Sequence, residues 1–581
     1  MRQYSGIAVS SGIAIGEARV RVKKKLNVAK RIINDREKEQ EKEKYLTAIE
    51  EELKELDDLL AKFDVEREDV ELLDIYKEIL NDPALKDKIT QLIEEKKFSA
   101  EYALYEFFME ISAVFKNMDD PYLAERGSDY EDIVNKLINR LNGNLELPLE
   151  DVIAEAKDDR QVVLVMEDIS PTDVARSYHS NISGICLVKG SKTSHSAIIA
   201  RALGIPVVVG VTELLFSTKE GDQIIVDGNK GVVIINPEKE QLTAYQQQRD
   251  SELLEKEELE TLIDLKSETK DAKYISLLCN IELKEELAAV LHAKADGVGL
   301  FRTEFLYVDR DELPSEEEQF EIYKNIAEEI GEKEFTIRTF DLGGDKLAKV
   351  LPTIVQEQNP FLGCRGIRLS LQYPEIFKTQ IRAVLRASNY GNIWLMFPMI
   401  GSVDDMQMAL DVVEECKLEL DTEGITYDET MKIGAMIEVP AAVLSIDALA
   451  QLCDFFSIGT NDLVQYTLAA DRNNKSVSQY YDPYHPAVIK LLYVTSEAAK
   501  RHNIKLSVCG ELASDINYAP LLIGMGIETL SVNPSSLLQV KKRIMAIDQS
   551  ELKDLTRRLL RINSPKELRE YVFRDKNYLK K

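Results

Sequence analysis

The sequence predicts a multidomain α/β protein whose C-terminal half is a (β/α)8 TIM barrel, and three features predict it. The C-terminal half carries eight short apolar runs, separated mostly by helical spacers. Upstream, residues 30–145 are dense in Glu, Lys and Leu. Between these regions β-type runs appear, broken by Gly and Asp turns. At 581 residues the chain exceeds what one hydrophobic core organises, so two or three domains are expected.

Taken in order, residues 1–20 alternate small and β-branched residues around glycines, a strand-type start that ends at Lys23, Lys24 and Lys25. From 30 to 145 apolar residues fall at helical spacing, as at Leu53, Leu56, Leu59 and Leu60, and glycine is nearly absent until Gly127. This reads as an all-helical domain whose charges form solvated faces. Apolar runs at 162–166, 184–188, 207–209 and 224–226 read as strands of a small α/β domain. Residues 238–266 are polar and rich in helix formers, which predicts a linking helix. Barrel strands are expected at 274–279, 298–301, 335–340, 393–399, 433–439, 455–458, 506–508 and 529–532.

Charge and cysteine usage narrow the function. A formal net charge of −29 repels nucleic acid and anionic membrane surfaces, and favours a basic protein partner. The six cysteines are scattered without a CxxC pair, which suits reduced thiols in a cytosol and gives no support to zinc or a disulfide framework. No basic segment followed by a long apolar run opens the chain, and no stretch approaches membrane-spanning length, so a soluble cytoplasmic protein is expected.

Polar residues gather at the ends of the expected barrel strands, where such barrels keep their chemistry. Arg302, Arg338, Arg365, Arg368 and Arg472, with Lys346 in a Gly-Gly-Asp-Lys loop, supply cations. Glu438 and Asp462 supply two acids. Guanidinium forks match phosphate and carboxylate oxygens, and two carboxylates with open positions suit Mg²⁺. The ligand these residues imply is a small phosphorylated acid. Elsewhere, His195 lies in Gly190-Ser-Lys-Thr-Ser-His195, where hydroxyls and free backbone N–H groups collect at the start of a helix-forming run. A phosphoryl-carrying nucleophile and a capped structural histidine both fit that spacing. His179, His292, His485 and His502 read as structural or solvated. Cys509 ends an apolar run just before Gly510 and Glu511, a place for a proton donor or for a buried inert thiol.

Together these stretches resemble Enzyme I of the bacterial phosphotransferase system, the phosphoenolpyruvate-protein phosphotransferase family. The likeness runs from Gly6 to Gly16, through Thr193-Ser-His195-Ser196, Gly299-Leu-Phe-Arg-Thr-Glu304, Asp341-Leu-Gly-Gly-Asp-Lys346, Asn359-Pro-Phe-Leu-Gly-Cys-Arg-Gly-Ile-Arg368 and Phe397-Pro-Met399, to Ile458-Gly-Thr-Asn-Asp462 and Cys509-Gly-Glu-Leu512. It implies that His195 is the phosphorylated histidine, on a swivelling α/β domain of residues 1–22 and 146–236. An all-helical domain, 23–145, would be inserted there and dock the basic face of the phosphocarrier protein HPr. A linker helix, 237–265, would lead to a phosphoenolpyruvate-binding barrel, 266–581, that also dimerises. Arg302, Arg338, Arg472 and Asn461 would hold the substrate's phosphate and carboxylate, with Arg365 and Asp462 beside them and Lys346 neutralising charge. Glu438 and Asp462 would bind Mg²⁺, and Cys509 would protonate the enolate. His195 would pass the phosphoryl group to HPr in the first step of sugar uptake, a journey that implies a large rigid-body swing.

Three departures stand out. Ser11 replaces a usual proline, Ser191 a usual glycine, and Tyr76 a usual histidine, with Lys77 and Glu78 at usually apolar positions. The last change points to a divergent carrier or a regulatory pathway. Three rivals remain: a dikinase, which lacks room here for a nucleotide domain; a barrel-only Mg²⁺-dependent lyase; and a catalytically silent or regulatory paralogue.

Overall fold

The computed structural model describes residues 2–21, 28–60, 76–116, 130, 133–143, 161–169, 182–190, 205–307, 312–343, 359–474 and 476–574. His195 and Lys346 lie outside them. The chain forms two compact units, Met1–Lys256 and Glu257–Lys581.

The first unit contains an eight-stranded sheet. Its strands are β1 (Arg2–Ser5), β2 (Ile7–Ser10), β3 (Ile13–Arg21), β4 (Val162–Met166), β5 (Ile182–Leu187), β6 (Val207–Val209), β7 (Gln223–Asp227) and β8 (Val232–Ile235), in the order β1-β8-β7-β3-β4-β5-β6-β2. β4 shows why the sequence there is continuously apolar. Val162, Leu164 and Met166 pack into one buried cluster while Val163 and Val165 pack into another, so this central strand is covered on both faces. The N-terminal strands join the same sheet, β3 pairing parallel with β4 and antiparallel with β7.

Helices Lys38–Leu60, Pro83–Glu95 and Ala100–Lys116 follow β3 in the chain. Their core holds Tyr45, Ile49, Leu56, Leu80, Ile93, Leu104 and Leu137. Proline starts one helix at the first position, where its missing N–H costs nothing. The buried Glu41 carboxylate accepts from the Ala100 N–H at 2.9 Å, satisfying a donor at the start of the next helix. Tyr76 belongs to this core and is 3% exposed, with the Lys136 ammonium 5.5 Å from its ring centre. The departure at this position is therefore a packing change, and Lys77, paired with Asp57 at 2.6 Å, is the altered residue nearer the surface. The polar stretch predicted to link the domains is a helix, Lys239–Glu260, with no buried residue.

The second unit is a closed barrel of eight parallel strands: β9 (Ser276–Ile281), β10 (Gly297–Arg302), β11 (Glu334–Arg338), β12 (Asn392–Phe397), β13 (Lys432–Ile437), β14 (Phe455–Ile458), β15 (Lys505–Val508) and β16 (Thr529–Val532). β16 closes on β9 with Leu530 opposite Leu277. The interior is packed by Leu300, Trp394, Met396, Met436, Phe455 and Cys509. At the N-terminal ends of the strands the Lys432 and Lys505 ammonium groups lie 4.1 and 4.7 Å from the Trp394 ring centre, and Lys505 also pairs with Glu334. That end is plugged, which leaves the C-terminal rim as the open end.

Candidate active site

A cavity of about 300 Å³ opens at the C-terminal rim. Arg302, Arg338, Arg365, Glu438, Asn461, Asp462, Arg472 and Cys509 all line it, so eight of the sequence-derived site residues converge here from β10, β11, β13, β14, β15 and the loops that follow them. Arg368 does not line it; its guanidinium donates to the Gly363 carbonyl at 3.2 Å.

Backbone geometry sets the approach of these groups. Met399 has φ +58°, and its N–H donates to Glu438 Oε1 at 2.6 Å. Gly366 has φ +56°, and a Cβ there would sit 2.8 Å from Met399 Cγ and 3.0 Å from Asp341 Oδ1. Only glycine fits both the conformation and the space. The helix Thr460–Leu468 starts directly after β14 and presents Asn461 and Asp462 in its first turn. Asn461 is fixed by reciprocal bonds, its Nδ2 donating to Glu511 Oε1 at 2.9 Å and its Oδ1 accepting from the Glu511 N–H at 3.1 Å. Arg472 follows a left-handed residue, Ala469, and its backbone N–H donates to the buried Gln465 side chain at 3.2 Å.

Charge is the main content of the cavity. Arg338 donates to Glu304 at 2.7 Å and lies 3.4 Å from Asp341, while Arg365 grips Asp341 with Nε and Nη2 at 3.0 and 2.7 Å and reaches Asp462 at 3.4 Å. Burial opposes both guanidinium charges, but the surrounding carboxylates hold both groups well above the usual arginine range. Asp341 is held below the usual carboxylate range; burial works against this, and Arg338 and Arg365 outweigh it. Glu438 goes the other way. Burial first, then repulsion from Asp341 and Asp462, pushes its carboxyl up to about 8.

Asp341, Glu438 and Asp462 offer oxygen atoms that all lie within 4.8 Å of one another. An all-carboxylate set with two members deeply buried suits a hard divalent cation. Asp341 was legible as a polar residue after β11 and as the first residue of the Asp341-Leu-Gly-Gly-Asp-Lys346 motif, without a role; its place as the third acid comes from the fold. Its signal was the spacing from Arg338, three residues earlier. Glu304 and Glu282 also line the cavity and were given no role by the sequence.

Cys509 is 2% exposed, its thiol 3.6 Å from the Ile458 carbonyl. Burial pushes that thiol up, so it carries its proton. Its backbone carbonyl accepts from the buried Asn280 at 2.9 Å, and Asn280 also bridges to Ser531. The histidines read as structural behave so where described: His485 Nδ1 caps the helix Pro486–Arg501 and His502 lies 2.8 Å from Asp447.

Comparison with known proteins agrees along the chain. Three family models match: "PEP-utilising enzyme, N-terminal" over 5–126, "PEP-utilising enzyme, mobile domain" over 158–231 and "PEP-utilising enzyme, PEP-binding domain" over 256–549. A phosphoenolpyruvate-protein phosphotransferase of Mycoplasma capricolum is 37% identical over 575 residues, covering 98% of both chains. Its counterpart in Listeria innocua is 38% identical over 98% of this chain and 99% of the relative. One from Staphylococcus aureus is 38% identical over 99% of both. Among the described residues no helix is long and apolar enough to cross a membrane.

Proposed function

The chain belongs to the phosphoenolpyruvate-protein phosphotransferase family, and from that premise we propose that it moves the phosphoryl group of phosphoenolpyruvate to His195 and then to a histidine of a phosphocarrier protein. The observation that carries this reading is the convergence of four guanidinium groups, three clustered carboxylates and a proton-bearing thiol in one cavity.

Phosphoryl transfer is mostly positioning and neutralisation of spread negative charge. Arg302, Arg338 and Arg472, with Asn461, hold the substrate phosphate and carboxylate; Arg365 orders Asp341 and Asp462, and Lys346 adds positive charge. The donor set fits Mg²⁺, held by Glu438 and Asp462 with Asp341 beside them; bound there, the ion neutralises phosphate charge. A neutral His195 nitrogen attacks phosphorus in line. The N–P bond forms as the bond to the enol oxygen breaks, and the electron pair leaves with enolpyruvate. Cys509 then gives its proton to the enolate carbon, releasing pyruvate, and the thiolate is reprotonated from solvent.

We assign 1–22 and 146–236 to the phosphohistidine domain, 23–145 to carrier docking, 237–265 to the linker and 266–581 to a substrate barrel that also dimerises. The carrier is HPr or a divergent homologue with a basic face, the setting is the cytoplasm, and the step is the first of a sugar phosphotransferase system. With Mg²⁺ and phosphoenolpyruvate but no carrier, pyruvate release should stop after about one equivalent, and added carrier should restart turnover. Absence of both the burst and the carrier-dependent turnover overturns the reading.

A further inference from the structure

We propose that Glu282, a residue at the mouth of the cavity, sets the affinity for phosphoenolpyruvate by holding Arg302 until the substrate anion displaces it. The inference rests on the cavity being the phosphoenolpyruvate site and goes beyond it by naming the group that competes with the ligand.

The four cavity arginines are not held alike. Arg338 and Arg365 are clamped between carboxylates, with side chains 10% exposed. Arg302 instead pairs with Glu282 at the open end, where the two side chains are 36% and 56% exposed. Glu282 directly follows β9, and its turn is pinned: the backbone N–H groups of Glu282 and Leu283 donate to Glu286 Oε2 at 2.6 and 3.1 Å. The turn that carries Glu282 is therefore held beside Arg302, and the exposed carboxylate reaches the guanidinium from it.

Charge balance makes this pair consequential. Among the described residues, five carboxylates and four guanidiniums line the cavity, so the arginines have no surplus of positive charge over the acids that face them. Glu282 occupies Nη1 of Arg302, so a trianionic ligand that takes the whole guanidinium fork must compete with it, and a carboxylate left beside the fork repels the ligand. Exposed pairs are weak and exchange readily, so Glu282 raises the dissociation constant without blocking the site.

Removing this charge tests the assignment. Glu282→Gln keeps size and shape at a half-exposed position. In whole-chain titrations with phosphoenolpyruvate and Mg²⁺, its Kd should fall about three- to tenfold, with kcat for His195 phosphorylation within about twofold of wild type. In an Arg302→Gln background the same substitution should change Kd by less than about twofold, because the partner is gone. A wild type that binds phosphoenolpyruvate while Glu282→Gln leaves Kd unchanged or weaker overturns the role of Glu282 alone, leaving the site assignment intact. An equal gain in the Arg302→Gln background also overturns it, since the effect would then be a general field.

Discussion

Glu438→Gln isolates the strain that the acid cluster puts on the barrel. The carboxyl is fully buried, pushed from 4.5 to about 8 by burial and by Asp341 and Asp462. A folded-state value raised above the unfolded one means stability is fully present below about 4.5, falls as pH rises, and levels off above about 8. At pH 7 this amounts to roughly 3 kcal/mol lost by the metal-free protein relative to low pH. Glutamine keeps an oxygen to accept from the Met399 N–H and has no proton to lose. The metal-free variant should therefore be nearly flat across pH 5–8 and more stable than wild type by about 3 kcal/mol at pH 7. The chain has one tryptophan, Trp394 inside the barrel, so its fluorescence in urea reports this unit directly. With saturating Mg²⁺ the order should reverse, because only wild type keeps both buried acid ligands. A metal-free variant less stable than wild type at pH 7, or a wild type whose stability does not fall with pH, would refute the reasoning.

Four other outcomes follow from the same geometry. Cys509→Ala should slow pyruvate formation roughly 10²- to 10⁴-fold in a pre-steady-state burst while leaving phosphoenolpyruvate affinity near wild type, because only the proton donor is lost. Arg338→Lys should lower kcat/KM for phosphoenolpyruvate at least roughly tenfold, since a point charge cannot replace a fork held by Glu304 and Asp341; steady-state kinetics with carrier decide it. Gly366→Ala should destabilise the barrel by roughly 1–3 kcal/mol in the same urea assay and raise KM, because a Cβ at φ +56° crowds Met399 and Asp341. Apparent Mg²⁺ affinity measured by calorimetry should rise as pH rises towards 8, since Glu438 must lose its proton before it can act as a ligand.

The barrel was legible because its strands are buried on both faces and read as short continuous apolar runs. The observed barrel strands lie within two residues of their expected places, and β9 is the one displaced towards its C-terminus, by two residues. Tyr274, expected inside it, precedes it and donates its hydroxyl to Asp296 at 2.6 Å. The strand instead takes in Asn280, a polar residue that local periodicity would exclude. Its partners, at Cys509 and Ser531, lie more than two hundred residues away in sequence. In the first unit β8 is hard to separate in sequence because its run follows β7 so closely that the intervening turn is its only mark. The rim arginines and the two principal acids were legible from strand ends and motifs. The third acid, Asp341, and the opposing Glu282 and Glu304 were not, because their meaning depends on which loops meet across the cavity. Tyr76 carries a different lesson. At this position, one of the three that set the chain apart from its family's usual pattern, the ring fills the helical core, while the neighbouring Lys77 pairs with Asp57 nearer the surface.

Labelled phosphoenolpyruvate with Mg²⁺, offered to wild type beside His195→Ala and scored for acid-labile, base-stable phosphate on the chain, decides whether His195 carries the phosphoryl group. Label is expected on wild type alone, in the peptide that contains His195. Label that persists in His195→Ala, or none on folded, metal-loaded wild type, would contradict that role.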